Sequence, residues 1–419
     1  MASPLRNAAI AAQRPSILGQ TCTAAFCVTS SSPAKTITAS FIRRQSSVAT
    51  QQNPRLPQHR TPSLQATSRT FHTSRSLNST PKFGYGISAS FTAKDRRYNP
   101  VRNVFNFNPY NHITKRRKDK RTRPDSGQDA FFISRIGESS DVAFGIADGV
   151  GGWVDSGVDP ADFSHGICDY MAHAAYTYKP EEWKVPLGAR SLMQKGYEDI
   201  CYDKTVPAGG STACVAIVKD TGNLEVANLG DSGFVQLRLN AVHSYSEPQT
   251  HAFNTPYQLS IVPKKVLARQ AVFGGTQLCD FPKDANASQH DLRHGDVLVF
   301  ASDGVWDNLS RQDILRIVSR IMIGSRAWVH TENGIEVGSS ISKFIMTDDG
   351  KHGAEEELPS LQSFLAVGVT GEAKAASVNT KLDGPFAREV QREYPHENWR
   401  GGKVDDICVV VAVVCEEGK

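Results

Sequence analysis

Residues 142–153 read VAFGIADGVGGW: an apolar run that ends on Asp148 and then dissolves into Gly149, Gly151 and Gly152. A carboxylate at the edge of an apolar core is costly unless something pairs with it. The glycines indicate that backbone, and with it a ligand, comes close at that point. The same ending recurs. VLVFASDG closes on Asp303, LEVANLGDSG closes on Asp231, and KVDDICVVV opens on Asp405 and Asp406. One such aspartate is an ordinary cap or turn residue, and Gly230-Asp231-Ser232 is also the composition of a plain hairpin turn. Several carboxylates that converge would repel one another with nothing between them. Without Cys or His beside them, such a cluster calls for hard divalent cations, Mg²⁺ or Mn²⁺. Two ions bridged by one carboxylate would neutralise the charge and activate a bridging water.

Outward from these tips, short β-branched runs recur from Pro124 onward, the longest good one being ICVVVAVVC at 407–415. Helical patterns interleave with them. In one, Asp159 caps, Pro160 takes the first turn, and Phe163, Ile167, Tyr170, Met171 and Ala174 share a face. In another, Arg311 to Ile323 carries Ile314, Leu315, Ile317, Val318 and Ile321. Strands and helices without strict βαβ alternation predict an α+β sandwich. Residues 345–372 read as a weakly patterned insertion.

Charge divides the chain. Residues 1–123 hold 21 Lys and Arg against only Asp95 and Asp119, a balance of +19, whereas the remainder sums to −15. The globular part is therefore acidic, and nucleic acid is not expected as its partner. The first 94 residues contain no acid, with many Ser, Thr, Ala and Gln, which is the composition of a mitochondrial transit peptide. The segment Arg69-Thr70-Phe71-His72-Thr73-Ser74 resembles a two-step matrix processing signal, which would start the mature chain near Ser79. We therefore expect a presequence over 1–78, a basic disordered connector over 79–123 with the charge run Lys115-Arg116-Arg117-Lys118 solvated, and the globular domain over 124–419. The scattered cysteines form no CxxC pair, which argues against a zinc module. No apolar stretch approaches the ~18–20 residues of a membrane span. No G-x-x-x-x-G-K-[S/T] loop occurs, which sets aside a nucleotide-driven ATPase.

Taken in order, Gly127-Gln128-Asp129-Ala130, Ala147-Asp148-Gly149-Val150-Gly151-Gly152, Gly210-Ser211-Thr212-Ala213, Leu229-Gly230-Asp231-Ser232, Ala301-Ser302-Asp303-Gly304 and Asp405-Asp406-Ile407 resemble the motifs of the type 2C metal-dependent protein phosphatases. The DGVGGW form, followed by Gly157-Val158-Asp159-Pro160 and later Gly384-Pro385-Phe386-Ala387, looks like the mitochondrial branch. The resemblance covers about 124–416. It implies a four-layer α-β-β-α sandwich, with two central, mostly antiparallel sheets flanked by helices and the metals in a cleft at one end. Asp148 would bridge two Mn²⁺ or Mg²⁺ ions, the Gly149 carbonyl would complete one shell, and Asp303 and Asp405 would hold the second ion. Asp231 would join Asp303 at a weaker third-metal site, Asp129 would orient metal waters from behind, and Asp406 would be a neighbour. The implied activity is a serine/threonine phosphatase, monomeric and in the mitochondrial matrix, that acts on phosphorylated mitochondrial proteins through a metal-bridging hydroxide.

Two departures stand out. Val150 occupies the place where many members have a His after the bridging Asp-Gly, and Pro124 the place of a phosphate-gripping Arg, with Arg123 adjacent; Gln128 also replaces the usual Glu. They favour the rival reading, a pseudophosphatase that binds without useful turnover, while the retained aspartates oppose it. General-acid help is worth ~10²–10⁴-fold, so activity would survive its loss at a lower rate. Ser211 and Thr212 have no partnered His/Asp arrangement and are expected to pack rather than attack. His165 is read as a core-edge or solvated histidine rather than a replacement acid. Trp153 and Trp306 are expected to pack beneath the metal loops.

Overall fold

A computed structural model of the chain describes residues 82–109, 120–264, 266, 268, 279–345 and 360–419. Why ICVVVAVVC is apolar at every position becomes clear from its place. It is strand β17 (Ile407–Glu416), central in a six-stranded antiparallel sheet of order β2-β1-β17-β14-β8-β9. Its companions are β1 (Phe83–Thr92), β2 (Val104–Asn106), β8 (Gly233–Arg238), β9 (Ala241–Tyr245) and β14 (Val297–Ala301). Ile407, Val409, Val411 and Val413 face a helix layer, while Cys408, Val410, Ala412 and Val414 face a second sheet. A strand covered on both faces has no polar alternation to keep.

That second sheet is five-stranded and antiparallel, in the order β13-β7-β6-β4-β3. It comprises β3 (Asp129–Arg135), β4 (Val142–Asp148), β6 (Ala213–Val218), β7 (Asn223–Leu229) and β13 (Asn286–Asp291). The two-stranded pairs β5–β12 (Gly209–Ser211, Leu259–Ile261), β10–β11 (Thr250–Ala252, Thr255–Pro256) and β15–β16 (Trp328–Thr331, Gly334–Val337) lie outside both sheets. Three apolar cores separate the layers. Phe144, Phe234 and Phe300 join the sheets, with Phe144 edge-on to Phe300 at 5.0 Å between centroids. Helices α1 (Pro160–Tyr176) and α2 (Ala189–Tyr202) bury Phe163, Ile167, Met171, Leu192 and Met193 on the outer face of the five-stranded sheet. Each such side chain contributes roughly 1.5–3 kcal/mol of transfer free energy. On the far side Ile314, Ile317 and Val318 cover the six-stranded sheet with Leu365, Ala366 and Val369. The fold is thus the expected α-β-β-α sandwich.

The capping expectation holds: the Asp159 side chain accepts from Ala161 N, with Pro160 at the first position. The helix at Arg311–Gly324 has a cap the sequence reading did not name, Ser310, whose hydroxyl accepts from Asp313 N.

Two expectations are corrected. The stretch 79–123 is not connector throughout: Phe83–Thr92 pairs along its whole length with β17, and Val104–Asn106 pairs with it in turn. The strand was hidden by Gly84 and Gly86 and by Ser and Thr at alternate places, where buried Ser88, Ser90 and Thr92 break the apolar signal. Within 345–372, Leu361–Ser377 is a helix with Leu361, Leu365, Ala366 and Val369 buried, so SLQSFLAVGV is core rather than surface insertion. Gln362 and Ser363, both buried, made it look weakly patterned. The expected presequence over 1–78, the charge run 115–118 and residues 346–359 lie outside the described residues.

Candidate active site

The strand tips named from sequence meet at one end of the sandwich. Asp148, Gly149, Val150, Gly151, Gly152, Thr212, Asp231, Asp303 and Asp405 line a cleft of about 230 Å³ together with Lys94, Gln128, Asn254, Pro256 and Lys403. Antiparallel register explains the convergence. Asp129 opens β3 directly opposite Asp148, which closes β4. Asp303 follows the end of β14, and Asp405 precedes β17, its neighbour in the other sheet.

Local contacts hold each carboxylate in place. Thr212 N donates to the Asp148 carbonyl at 2.9 Å, and the Thr212 hydroxyl accepts from Asp148 N at 3.1 Å. That hydroxyl also meets Ser232 Oγ at 2.8 Å, so Thr212 braces the Asp148 backbone from both its amide and its side chain. The Ser302 hydroxyl donates to Asp129 Oδ2 at 2.6 Å and accepts from Cys408 N at 3.0 Å, which ties the two sheets together behind the cleft. Asp406 accepts from Lys94 N at 2.7 Å and from Gln128 N at 2.8 Å. Its closeness dictates two glycines. A Cβ on Gly127, at φ +70°, would fall 2.2 Å from Asp406 Oδ1, and one on Gly304 1.9 Å from the Asp406 carbonyl.

Burial pushes the Asp148 carboxyl well above the usual range, and Asp303, Asp129, Asp405 and Asp231 push it further. Asp129 is raised by burial and then by Asp406, Asp405 by burial and then by Asp303. Asp231 is pushed up to about 7 for the same reasons, and its Oδ1 is buried without a hydrogen-bond partner. Asp303 alone is held low: burial works against it, but the Lys403 ammonium outweighs that cost. Among the described residues no three His, Cys, Asp or Glu side chains stand ready-made around one point. Instead Lys403 Nζ sits among the acids, and Asp148 shares a hydrogen bond with Asp303. The donor set is nevertheless all oxygen, crowded, buried and supplied with one orphaned carboxylate oxygen. That set suits hard divalent cations.

Three residues were not legible from sequence. Lys94, two residues past the end of β1, places Nζ 4.0 Å from Asp405 and lines the cleft; it lay in the stretch read as connector. Asp307 follows Asp303 by one helical turn and, like Lys403, was unmarked by any motif considered. Arg123 does not reach the cleft. It pairs with Asp162 at 2.7 Å beside the first turn of α1. His165 is buried and does not line the cleft. Trp153 is buried and donates from Nε1 to Gln258 Oε1 at 3.0 Å. Trp306 donates to the Ala301 carbonyl at 2.8 Å.

No protein-family model matches the chain. The protein phosphatase PTC7 homolog of Xenopus laevis is 31% identical over 294 residues, covering 69% of this chain and 82% of that protein. The chain belongs to the type 2C protein phosphatases, in the PTC7 branch. It is a protein phosphatase, a hydrolase. Protein phosphatase 2C homolog 7, mitochondrial, of Saccharomyces cerevisiae is 29% identical over 333 residues, covering 79% of this chain and 83% of that protein. The solved structure of the photosystem II phosphatase PBCP superposes on this phosphatase with a TM-score of 0.52 at 23% identity, covering 79% and 98% of the two chains, a likeness of fold.

Proposed function

We infer that this phosphatase removes phosphate from phosphoserine and phosphothreonine of mitochondrial matrix proteins, with two Mn²⁺ or Mg²⁺ ions held by Asp148, the Gly149 carbonyl, Asp303 and Asp405. The observation that carries the reading is the convergence of Asp148, Asp231, Asp303 and Asp405 on one cleft with no His or Cys among its lining residues. Bound there, hard divalent ions supply charge neutralisation and an activated water for in-line attack on phosphorus.

The chain's own residues do the rest. Asp129, fixed by Ser302, orients whatever water stands behind the first carboxylates. Lys94 presents an ammonium at the cleft mouth, 38% exposed along its side chain, where it would meet a phosphoryl group in place of the expected arginine. Its backbone is pinned through Asp406. Thr212, the one hydroxyl side chain lining the cleft, is already engaged with Asp148 and Ser232, which favours direct hydrolysis without a phosphoenzyme. Val150 offers no proton, so the leaving alkoxide takes its proton from water. A cleft this small accepts a phosphoryl group on an extended side chain and leaves the choice of substrate to the surrounding surface. The mitochondrial assignment rests on the acid-free first 94 residues and on the yeast relative whose name places it there.

Release of phosphate from a phosphothreonine peptide by the full chain, with and without Mn²⁺, tests the reading. Mn²⁺-dependent turnover that Asp148→Asn abolishes supports it. Equal rates in all four conditions would leave the pseudophosphatase as the better account.

A further inference from the structure

Lys403 is built into the acid cluster rather than draped over it. Its Nζ lies 2.7 Å from Asp303 Oδ2, 2.6 Å from Asp307 Oδ2 and 3.2 Å from Asp405 Oδ2, with its side chain only 14% exposed. The backbone that delivers it is clamped at both polar groups. Lys403 N donates to Asn308 Oδ1 at 2.9 Å, and Asn308 Nδ2 donates to the Lys403 carbonyl at 2.8 Å. Asn308 is itself buried and also donates to the Gly304 carbonyl, in the turn that carries Asp303. The Phe386 ring lies 5.0 Å from the ammonium, in cation–π range. Asp307, four residues after Asp303, bonds back to it through the backbone at 2.8 Å, so the two carboxylates reach Lys403 from one helical turn.

Resting on the two-ion reading above, we propose that the Lys403 ammonium takes the place of a third metal ion, so that this phosphatase works with two divalent ions and one built-in cation. The expectation of a third-metal site at Asp231 and Asp303 is then replaced by a covalently tethered charge. Charge balance favours this arrangement. Asp148, Asp231, Asp303, Asp307 and Asp405 bring five negative charges, and two divalent ions with the Lys403 ammonium cancel them, which leaves Lys94 as the positive charge that an incoming phosphoryl group meets. A third divalent ion beside the lysine would add two further positive charges, and would meet Lys403 already on Asp307 Oδ2, a carboxylate that neither of the two ions uses. An ammonium held by three carboxylates in a nearly buried pocket also lacks the mobility to step aside without breaking all three contacts.

Counting bound ions tests this without reference to turnover. The full chain is titrated with Mn²⁺ well past saturation of the tighter sites, and free Mn²⁺ is read by its electron paramagnetic resonance signal. Two ions per wild-type chain are expected, three per K403A chain, and two again when D307N is added to K403A. K403M, which keeps the stem over Phe386, is read in the same way, and circular dichroism establishes that each variant is folded. Three ions in the wild type, or two in both folded lysine variants, would overturn the proposal. Fewer than two ions in the wild type would instead overturn the two-ion reading beneath it.

Discussion

Strand β14 carries an aspartate at each end, and the two live by different rules. Asp296, just before its first residue, is fully buried and saturated by the protein. Arg238 donates to both of its oxygens at 2.7 Å, Gln236 Nε2 donates at 2.8 Å and Arg293 N at 2.9 Å. Asp303, just past the last residue, faces other carboxylates and a single lysine. Both follow the same pattern, an acid at the tip of an apolar strand, yet only one is short of positive partners. The count of donors around a buried carboxylate, not its place in the strand, separates a structural acid from one that awaits a cation.

The largest effect should come from the acid tip. Asp148→Asn is expected to lower phosphatase activity on the order of 10²–10³-fold, the scale of losing a group that stabilises transition-state charge. In metal-free protein the same change should raise the melting temperature, because it removes one member of a self-repelling set whose carboxyl is pushed up by burial. Asp296→Asn should do the reverse. It strands the Arg238 guanidinium and costs ~3–5 kcal/mol of stability, read by denaturant unfolding, while the rate per folded molecule is kept. Equal behaviour of the two variants would erase the distinction.

Ser302→Ala is expected to be milder, about 10–100-fold in activity or Mn²⁺ affinity, since it loosens the orientation of Asp129 without touching a first ligand. An unchanged Mn²⁺ affinity together with unchanged kcat would show that Asp129 needs no such support.

The smallest effect belongs to the end of the sandwich away from the cleft. His294 accepts at Nδ1 from Glu416 N at 3.0 Å, and burial, then Lys419, holds its pKa below the usual 6.5. A lowered histidine pKa means that the unfolded chain binds the proton first. The contribution is therefore present above about pH 6.5 and fades as the pH falls through the folded value. Thermal melts between pH 7.5 and 5 should fall more steeply for wild type than for His294→Asn, whose amide oxygen still accepts.

The site was legible where chemistry demanded a rare residue pattern. Glycine beside aspartate at three strand tips, and the Asp405-Asp406 pair at a fourth, could be read directly, because glycines such as Gly304 are forced by the Asp406 contacts and the acids cannot be exchanged for apolar residues. The continuous runs of β14 and β17 announced a sheet covered on both faces. Strand β1 was not legible, since its buried Ser88 and Ser90 find partners in the following segment, as in the Ser90 bond to the Asn103 carbonyl at 2.8 Å, and with Thr92 carry no apolar signature. Lys94 was lost with it. Lys403 was invisible for another reason: a lysine beside Val404 and Asp405 reads as surface until Asn308, from another part of the chain, is seen to fold it inward.

Anomalous diffraction from Mn²⁺-soaked crystals is the most direct measurement. Two manganese peaks are expected, both within ligand distance of Asp148, with Asp303 and Asp405 on one of them. Manganese absent from this cleft, with Asp148, Asp303 and Asp405 contacting only protein atoms, would contradict a metal-dependent hydrolytic centre at these strand tips.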